Sequence, residues 1–230
     1  MPTVGAIVAA AGSGTRLGRG SKALVRLNGR TTLARVLELF LSLDEIDRIV
    51  VVGPPGRLEN AEREVASLAP RKPVTVMAGG ESRQDSVRAG LAALGACDYV
   101  LVHDAARPLA TPGLVRRVLA AAMESGAALP AIAPRDAVKR VEGNRLVESL
   151  DRTRIVLAQT PQAFAYEVLA RAHREAADAG LVGDDDAQLV AATGHEVTVV
   201  EGEPANIKLT TPQDFGVVEA LIKEQETATT

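Results

Sequence analysis

Residues 4–22 read VGAIVAAAGSGTRLGRGSK, an apolar run that passes directly into a glycine-rich stretch. The run Val4–Ala9 predicts a short buried strand. Four glycines follow it, and glycine lets main-chain N–H groups approach and surround an anion. The same loop carries the cations Arg16 and Lys22. The stretch therefore predicts a triphosphate site, although a glycine-rich connection can also serve only as a tight turn.

Two better-known nucleotide-binding motifs do not fit this loop. A P-loop needs a glycine immediately before the lysine, and Ser21 precedes Lys22. A dinucleotide fingerprint needs a glycine at the position of Leu17, and Gly18 comes one residue late. The second predicted strand also ends at glycine and proline rather than near an acidic residue for a ribose. NAD binding is therefore disfavoured.

Beyond this loop, apolar β-rich runs alternate with segments of helical period. The predicted strands are Val4–Ala9, Arg48–Val52, Val74–Met77, Tyr99–Val102 and Ala127–Ala133. Near-continuous apolar strands separated by helices favour a parallel sheet covered on both faces. We therefore predict an α/β fold with a doubly wound, mainly parallel, Rossmann-like sheet. Ligands of such sheets bind at the carboxyl ends of the strands, so we expect the site in the loops that follow them.

Residues 134–165 interrupt this alternation. Two short alternating runs flank Glu142, Gly143 and Asn144, a pattern typical of a β-hairpin. We predict an arm at about residues 134–160 that buries one face against a second subunit of a homodimer or, alternatively, against its own domain. No linker divides the chain, so residues 1–230 are predicted to form a single domain.

Composition excludes several classes of protein. The chain has 230 residues, of which 47% are hydrophobic, and its only aromatic residues are two Tyr and three Phe. The core must be aliphatic, and few rings are available to stack the bases of single-stranded nucleic acid. A net charge of −3 offers no bulk attraction to nucleic acid or to an anionic membrane. A single cysteine and the absence of a recognisable signal peptide or apolar span favour a cytoplasmic protein without a disulfide.

The glycine-rich loop resembles the signature loop of the pyrophosphorylase-type nucleotidyltransferases. Four further motifs follow in order, AGGESRQDSV at 78–87, HDAARP at 103–108, QTPQAF at 159–164 and NIKLTTP at 206–212. In this order and spacing they resemble the 2-C-methyl-D-erythritol 4-phosphate cytidylyltransferase family over about residues 4–222. The resemblance implies transfer of CMP from CTP to methylerythritol phosphate, with release of pyrophosphate, in the non-mevalonate route to isoprenoids.

The resemblance also implies roles for individual residues, a Mg²⁺ cofactor and a homodimer that exchanges its arms. The acceptor, a polyol phosphate, would contact Asp104, Arg107, Lys208 and Arg152, the last from the partner subunit's arm. Asp104 would also bind the metal. The implied catalytic residues, which stabilise charge on the phosphates, are Arg16, Lys22 and Lys208. The implied nucleotide-binding residues are Ala10, Ala11, Gly12, Gly14, Thr15, Gly80, Glu81, Ser86 and Asp104.

One position departs from the family pattern. Ala137 stands where the family usually has a threonine, whose hydroxyl would be expected to contact the acceptor. The alternative acceptors are therefore ribitol 5-phosphate or another sugar phosphate. A nucleotide-binding regulatory subunit without turnover is a third hypothesis, and the presence of Arg16, Lys22 and Lys208 argues against it.

Several charged residues also have plain structural interpretations. Arg83 and Asp85 are interpreted as a local ion pair at a helix start. Residues 184–186 are three aspartates, and acidic residues suit a helix N-terminus because of its dipole. His103 is interpreted as a packed neighbour of the site rather than as a catalyst.

Overall fold

An eight-stranded sheet organises the computed structural model, which describes residues 1–12 and 22–228. The strands of this part of the chain are β1 (Val4–Ala9), β2 (Arg26–Leu27), β3 (Arg30–Thr31), β4 (Arg48–Gly53), β5 (Val74–Ala78), β6 (Tyr99–Asp104), β7 (Ala127–Ile132), β8 (Lys139–Glu142), β9 (Arg145–Ser149), β10 (Leu157–Ala158), β11 (Gln162–Ala165) and β12 (Thr198–Glu201). The α-helices are α1 (Thr32–Leu41), α2 (Leu58–Ser67), α3 (Arg83–Leu94), α4 (Pro112–Ser125), α5 (Tyr166–Ala179), α6 (Asp186–Ala192) and α7 (Gln213–Ala228).

The main sheet has the order β10-β7-β11-β6-β1-β4-β5, and β12 pairs with β7. Strand β1 lies in the centre and pairs in parallel with β4 and β6, and β12 runs parallel to β7. Strand β11 lies between β6 and β7 and runs antiparallel to both, as β10 does to β7. The prediction of a mainly parallel sheet is confirmed, while the antiparallel insertion of β11 was not anticipated.

Helices pack on both faces of the sheet, as expected for a doubly wound fold. Successive side chains of a strand point to opposite faces. Val4, Ala6 and Val8 belong to a core with α1 and α4, whereas Ile7 belongs to a second core with α3, α5 and α6. Phe40 is fully buried in the first core and Phe164 in the second, so each core contains one of the few aromatic rings of this chain.

Local signals account for most element boundaries. Thr111 caps α4 by accepting a hydrogen bond from the Leu114 N–H, and Pro112 occupies the first turn, where its missing N–H costs nothing. The predicted strand at Tyr99–Val102 extends two residues further, which makes Asp104 the last residue of β6. The last helix, α7, begins at Gln213 and continues to Ala228.

The predicted hairpin is present as β8 and β9, which pair only with each other among the described strands. Gly143 lies in the turn at φ +57°, a conformation that glycine adopts without strain. Every residue of both strands is exposed. None of the helices in residues 1–12 and 22–228 combines the length and the apolar character needed to cross a bilayer.

Candidate active site at the carboxyl ends of the strands

A cleft of about 420 Å³ lies where β1 and β6 end, at the edge of the sheet that the topology predicts for a ligand. It gathers residues from four separate motifs of the sequence. The predicted site residues that line it are Ala10, Ala11, Gly12, Lys22, Gly80, Glu81, Ser86, Asp104 and Lys208. Gly14, Thr15 and Arg16 lie outside the described residues, so their predicted roles are untested.

Asp104 is the charged centre of the cleft. Its Oδ2 lies 2.6 Å from the Lys208 Nζ, and its Oδ1 accepts a 3.0 Å hydrogen bond from the Arg83 Nε. Burial by itself would raise the pKa of this carboxyl, but Arg83 and Lys208 outweigh burial and hold the pKa well below its ordinary value. Asp104 is therefore an anion at neutral pH, with both oxygens directed toward cations.

Arg83 is a site residue that the sequence reasoning missed. The predicted ion pair with Asp85 is wrong, because Arg83 donates instead to Asp104 and, through Nη1, to Asp186 at 2.8 Å. Asp85 forms a capping box with Ser82 at the start of α3 and pairs with Arg88. Burial would lower the pKa of Arg83, but the two carboxylates outweigh it and raise that pKa. The available signal was position, since Arg83 directly follows the glycine turn at the end of β5.

The turn after β5 brings the predicted nucleotide-binding residues Gly80 and Ser86 against the first loop. A Cβ on Gly79 would lie 2.5 Å from the Ala11 Cβ and 2.7 Å from the Ser86 Oγ, so only glycine permits this approach. The Ser86 hydroxyl donates to the Ser82 carbonyl at 2.8 Å and accepts from the Gly80 N–H at 3.2 Å. These bonds hold the turn in a shape that leaves Gly80 and Ser86 on the cleft wall.

Lys22 starts a short 3₁₀ helix, Lys22–Leu24, and its carbonyl accepts a 2.7 Å hydrogen bond from the Thr32 hydroxyl. This bond ties the end of the glycine-rich loop to α1. Asp214 lies within the electrostatic reach of Lys22. Burial would raise the pKa of Asp214, but N–H donors from Thr211 and Thr210, with Lys22 adding to them, lower it. Lys22 therefore lies between the cleft and the start of α7.

Two predicted acceptor ligands do not line this cleft. Arg107 is largely buried, and its guanidinium donates to the carbonyls of Asn206 at 2.8 Å and Ala158 at 3.2 Å, while burial lowers its pKa. Arg152 lies exposed on the arm and donates to the Arg135 carbonyl at 3.1 Å. Arg107 therefore braces the loops behind the site, and the predicted role of Arg152 depends on a second subunit.

His103 lies behind Asp104 and belongs to a closed hydrogen-bond chain. The Asp104 N–H donates to the Thr160 Oγ at 3.1 Å. The Arg107 carbonyl can only accept, so the His103 Nε2 carries the proton and donates to it at 3.1 Å. In the neutral ring Nδ1 is then an acceptor, and it takes the Thr160 hydroxyl at 3.1 Å. Burial lowers the pKa of His103 to about 4. The ring is neutral and fully engaged, in accord with its interpretation as a packed neighbour.

The chain matches a family model described as "IspD: 2-C-methyl-D-erythritol 4-phosphate cytidylyltransferase" over residues 4–224. A relative from Anaeromyxobacter dehalogenans, named a bifunctional enzyme IspD/IspF, is 45% identical over 221 residues, which cover 94% of this chain and 56% of the relative. The chain thus spans little more than half the length of the bifunctional relatives that it matches.

Relatives of similar length also match. One from Dehalococcoides mccartyi, named 2-C-methyl-D-erythritol 4-phosphate cytidylyltransferase, is 40% identical over 222 residues, which cover 96% of each chain. The crystal structure of an enzyme of that name from Thermus thermophilus has a TM-score of 0.79 and 36% identity, and covers 97% of this chain and 100% of its own. From the family match across nearly the whole sequence, the chain belongs to the 2-C-methyl-D-erythritol 4-phosphate cytidylyltransferase family.

Proposed function

We propose that this chain transfers CMP from CTP to 2-C-methyl-D-erythritol 4-phosphate and releases pyrophosphate, a step in isoprenoid precursor synthesis. The observation that carries the proposal is the cleft in which Lys22, Asp104 and Lys208 meet the glycine turn at Gly80. Cations beside a glycine-rich loop, whose main-chain N–H groups can bind an anion, suit a nucleoside triphosphate. The family match and the names of the relatives favour CTP and methylerythritol phosphate as the substrates.

The reaction needs no general base. The second pKa of a phosphate monoester is about 6, so the acceptor is largely a dianion at neutral pH. One of its oxygens attacks the α-phosphorus of CTP, a new P–O bond forms, and the bond to the β-phosphate bridge breaks. Pyrophosphate leaves with that electron pair. The absence of a free histidine beside Asp104, where His103 is fully hydrogen-bonded, suits this chemistry.

The chain's task is then to neutralise charge as two polyanions meet. We assign Arg16, Lys22 and Lys208 to this role, with Lys22 spanning the α-phosphate and the departing pyrophosphate. Lys208 is about half exposed and is held at the cleft by Asp104, from which it can reach the acceptor phosphate. We assign Arg107 to the same acceptor region, where it fixes the loop that precedes Lys208 through the Asn206 carbonyl.

Recognition of the base is assigned to the turn between β5 and α3. Cytosine presents a carbonyl oxygen, a ring nitrogen and an amino group, which main-chain groups and one hydroxyl can read. Gly80, Glu81 and Ser86 line the cleft at this turn. Ala10, Ala11 and Gly12 line the same cleft from the loop after β1, and Gly14 and Thr15 of that loop are assigned to the nucleotide as well. Asp104 would then face the ribose.

We also propose Mg²⁺ as the cofactor, with Asp104 as its protein ligand. No group of three or more His, Cys, Asp or Glu side chains in the described part of the chain is placed to hold a metal. Mg²⁺ commonly takes one or two carboxylates and completes its shell with water and substrate phosphates. Each Asp104 oxygen accepts from one cation and keeps a further lone pair, so the residues fit an ion carried by the triphosphate. Such an ion would withdraw charge from the phosphate oxygens.

Lys22→Ala tests the assignment of charge stabilisation. Losing one such contact should lower kcat with CTP, Mg²⁺ and methylerythritol phosphate by about a hundredfold or more. Preference for CTP over UTP should change little, because Lys22 does not lie at the turn that reads the base. Lys223→Ala, on an exposed face of α7, is the matched control. Undiminished pyrophosphate release by Lys22→Ala would remove Lys22 from the mechanism.

A second acceptor deserves the same assay because of Ala137. The family's usual threonine would supply a hydroxyl that alanine lacks, so a ribitol 5-phosphate or another sugar phosphate is the alternative. Pyrophosphate release is measured with CTP and each acceptor in turn. Turnover with ribitol 5-phosphate and none with methylerythritol phosphate would overturn the proposed acceptor.

We propose further that residues 1–230 form one domain that dimerises through the arm at residues 134–160. An isolated two-stranded hairpin is marginal in water, and this one exposes Val141 by 58% and Leu146 by 59%. A second copy of the chain would cover those side chains and place Arg152 in its partner's cleft. This supports a homodimer with exchanged arms.

Mixing two inactive variants tests the exchange. In a heterodimer of Lys22→Ala and Arg152→Ala subunits, one cleft keeps its own Lys22 and receives an intact arginine from the partner. Random assembly should therefore restore about a quarter of wild-type activity. No recovery in a mixture that sedimentation shows to contain dimers, or full activity of a monomer, would contradict the arrangement.

A further inference from the structure

A buried chain of charged groups runs from the cleft to α6. Arg83 donates its Nε to Asp104 at 3.0 Å and its Nη1 to Asp186 at 2.8 Å. The other Asp186 oxygen lies 3.0 Å from the His173 Nε2 on α5. Asp186 is 0% exposed and His173 2% exposed, and neither lines the cleft. The proposed chemistry uses Asp104 but gives no task to the two residues behind Arg83.

We propose that Asp186 and His173 are positioning residues that act through Arg83 to hold the Asp104 carboxylate in its working orientation. This inference rests on the proposed function, because it concerns the carboxylate assigned to the ribose and the metal. Asp186 and His173 do not touch substrate in this arrangement. Their effect reaches the cleft only through the guanidinium.

The geometry of Arg83 carries the inference. A guanidinium is planar, and its N–H groups point in fixed directions. Arg83 donates from Nε to Asp104 and from Nη1 to Asp186. The Asp186 carboxylate therefore fixes the plane of the guanidinium, and with it the position of the Asp104 Oδ1. The Asp104 Oδ2 then faces Lys208 and the ligand. A lysine at position 83 could not bind both carboxylates with this fixed angle.

The rest of α6 is held without Asp186. Asp185 caps the helix by accepting from the Gln188 N–H, and Gln162 on β11 binds both Asp185 and the Ala187 N–H. Leu189 and Val190 are buried in the core. Burying an ionised carboxylate is costly, and packing alone would be served by an uncharged side chain. The charge of Asp186 is therefore explained by what it does to Arg83.

Asp186→Asn keeps the side-chain size and removes the charge. We expect kcat/KM for CTP to fall about tenfold, the lower end of what loss of a second-layer partner costs. Calorimetric CTP affinity, measured with Mg²⁺ and without acceptor, should fall as well. In an Arg83→Gln background the same substitution should change both quantities by less than about twofold, because the connection is already broken. His173→Gln keeps an N–H donor for Asp186 and His173→Leu does not, so the loss of kcat/KM should be smaller in the glutamine variant.

A purely structural role would give a different result. It would lower the thermal midpoint while leaving kcat/KM per folded molecule unchanged, or it would give losses that add in the double variant. Either outcome overturns the inference. Asp98→Asn is the matched control. Asp98 accepts two hydrogen bonds from Thr3 at the amino ends of β1 and β6, away from the cleft, so the substitution should leave kcat/KM and CTP affinity unchanged.

The two proposals can fail separately. If the wild type binds CTP but does not turn over methylerythritol phosphate, the proposed acceptor is wrong. The double-variant comparison by calorimetry still decides the role of Asp186. If turnover is as proposed and Asp186→Asn matches the wild type in kcat/KM and in CTP affinity, only the positioning inference is overturned.

Discussion

Replacing His103 by glutamine should remove a specific acid sensitivity from the protein's stability. The His103 ring must accept from Thr160 at Nδ1 and donate to the Arg107 carbonyl at Nε2, which only the neutral tautomer can do. A glutamine amide offers one acceptor and one donor and does not titrate. Both proteins should therefore be folded at neutral pH, and only the wild type should lose free energy of unfolding when this site would be protonated.

The magnitude follows from the shift in pKa. Burial lowers the pKa of His103 to about 4, whereas the unfolded chain has the ordinary value of about 6.5. Above the pKa of the unfolded chain neither state binds the proton, and the free energy of unfolding loses nothing at this site. Between the two values only the unfolded chain binds it, so the free energy of unfolding falls as the pH decreases. At about 1.4 kcal/mol per pKa unit, the loss at the lower end is about 3 kcal/mol.

Urea unfolding followed by far-ultraviolet circular dichroism measures this loss, since the chain has no tryptophan for fluorescence. The measurement is repeated at intervals from about pH 7 to about pH 4. Subtracting the His103→Gln curve from the wild-type curve removes titrations that the two proteins share. The free energy of unfolding should fall more steeply in the wild type, by about 3 kcal/mol over this range. Parallel curves would refute the assignment of a neutral, buried His103.

Three further substitutions test the packing and the helix ends. Gly90→Ala in α3 would place a Cβ 2.8 Å from the Ile7 Cγ2 and 3.0 Å from the Val52 Cγ2, and overpacking of about 1–3 kcal/mol should exceed the gain in helix propensity of about 1 kcal/mol. Gly216→Ala in α7 meets nothing within 4 Å and should stabilise by about 0.5–1 kcal/mol. A urea midpoint that does not fall in Gly90→Ala, or one that does not rise in Gly216→Ala, would contradict the expectation for that variant. Thr111→Ala removes the cap of α4 and should cost about 1–2 kcal/mol, and an unchanged free energy of unfolding would show that the cap contributes nothing.

Much of the fold could be predicted from local pattern. The run Val4–Ala9 is a strand with the predicted bounds, and the strand predicted at Arg48–Val52 extends by one residue to Gly53. Strand β11 escaped prediction because Gln162–Ala165 is short and carries a glutamine in an apolar stretch. Its place between β6 and β7 depends on long-range pairing, which periodicity within a segment does not report.

The site was predictable where its residues follow strands. Lys22 lies on the loop after β1, Gly80 follows β5, and Asp104 is the last residue of β6. Their shared edge of the sheet brings them into one cleft. Arg83 was assigned the wrong partner, because Asp85, two residues along the chain, is already bound by Ser82 and Arg88. The true partners, Asp104 and Asp186, are distant in sequence and adjacent only in the folded chain.

The amino-acid sequence by itself determined most of the strands and helices, and it placed glycines and cations on the loop after β1, because periodicity, caps and turn residues act over a few positions. Only the tertiary structure decided which charges meet. Asp186 and His173 became a buried pair behind Arg83, and His103 became neutral, because burial and hydrogen-bond partners are set by elements that pack from far along the chain.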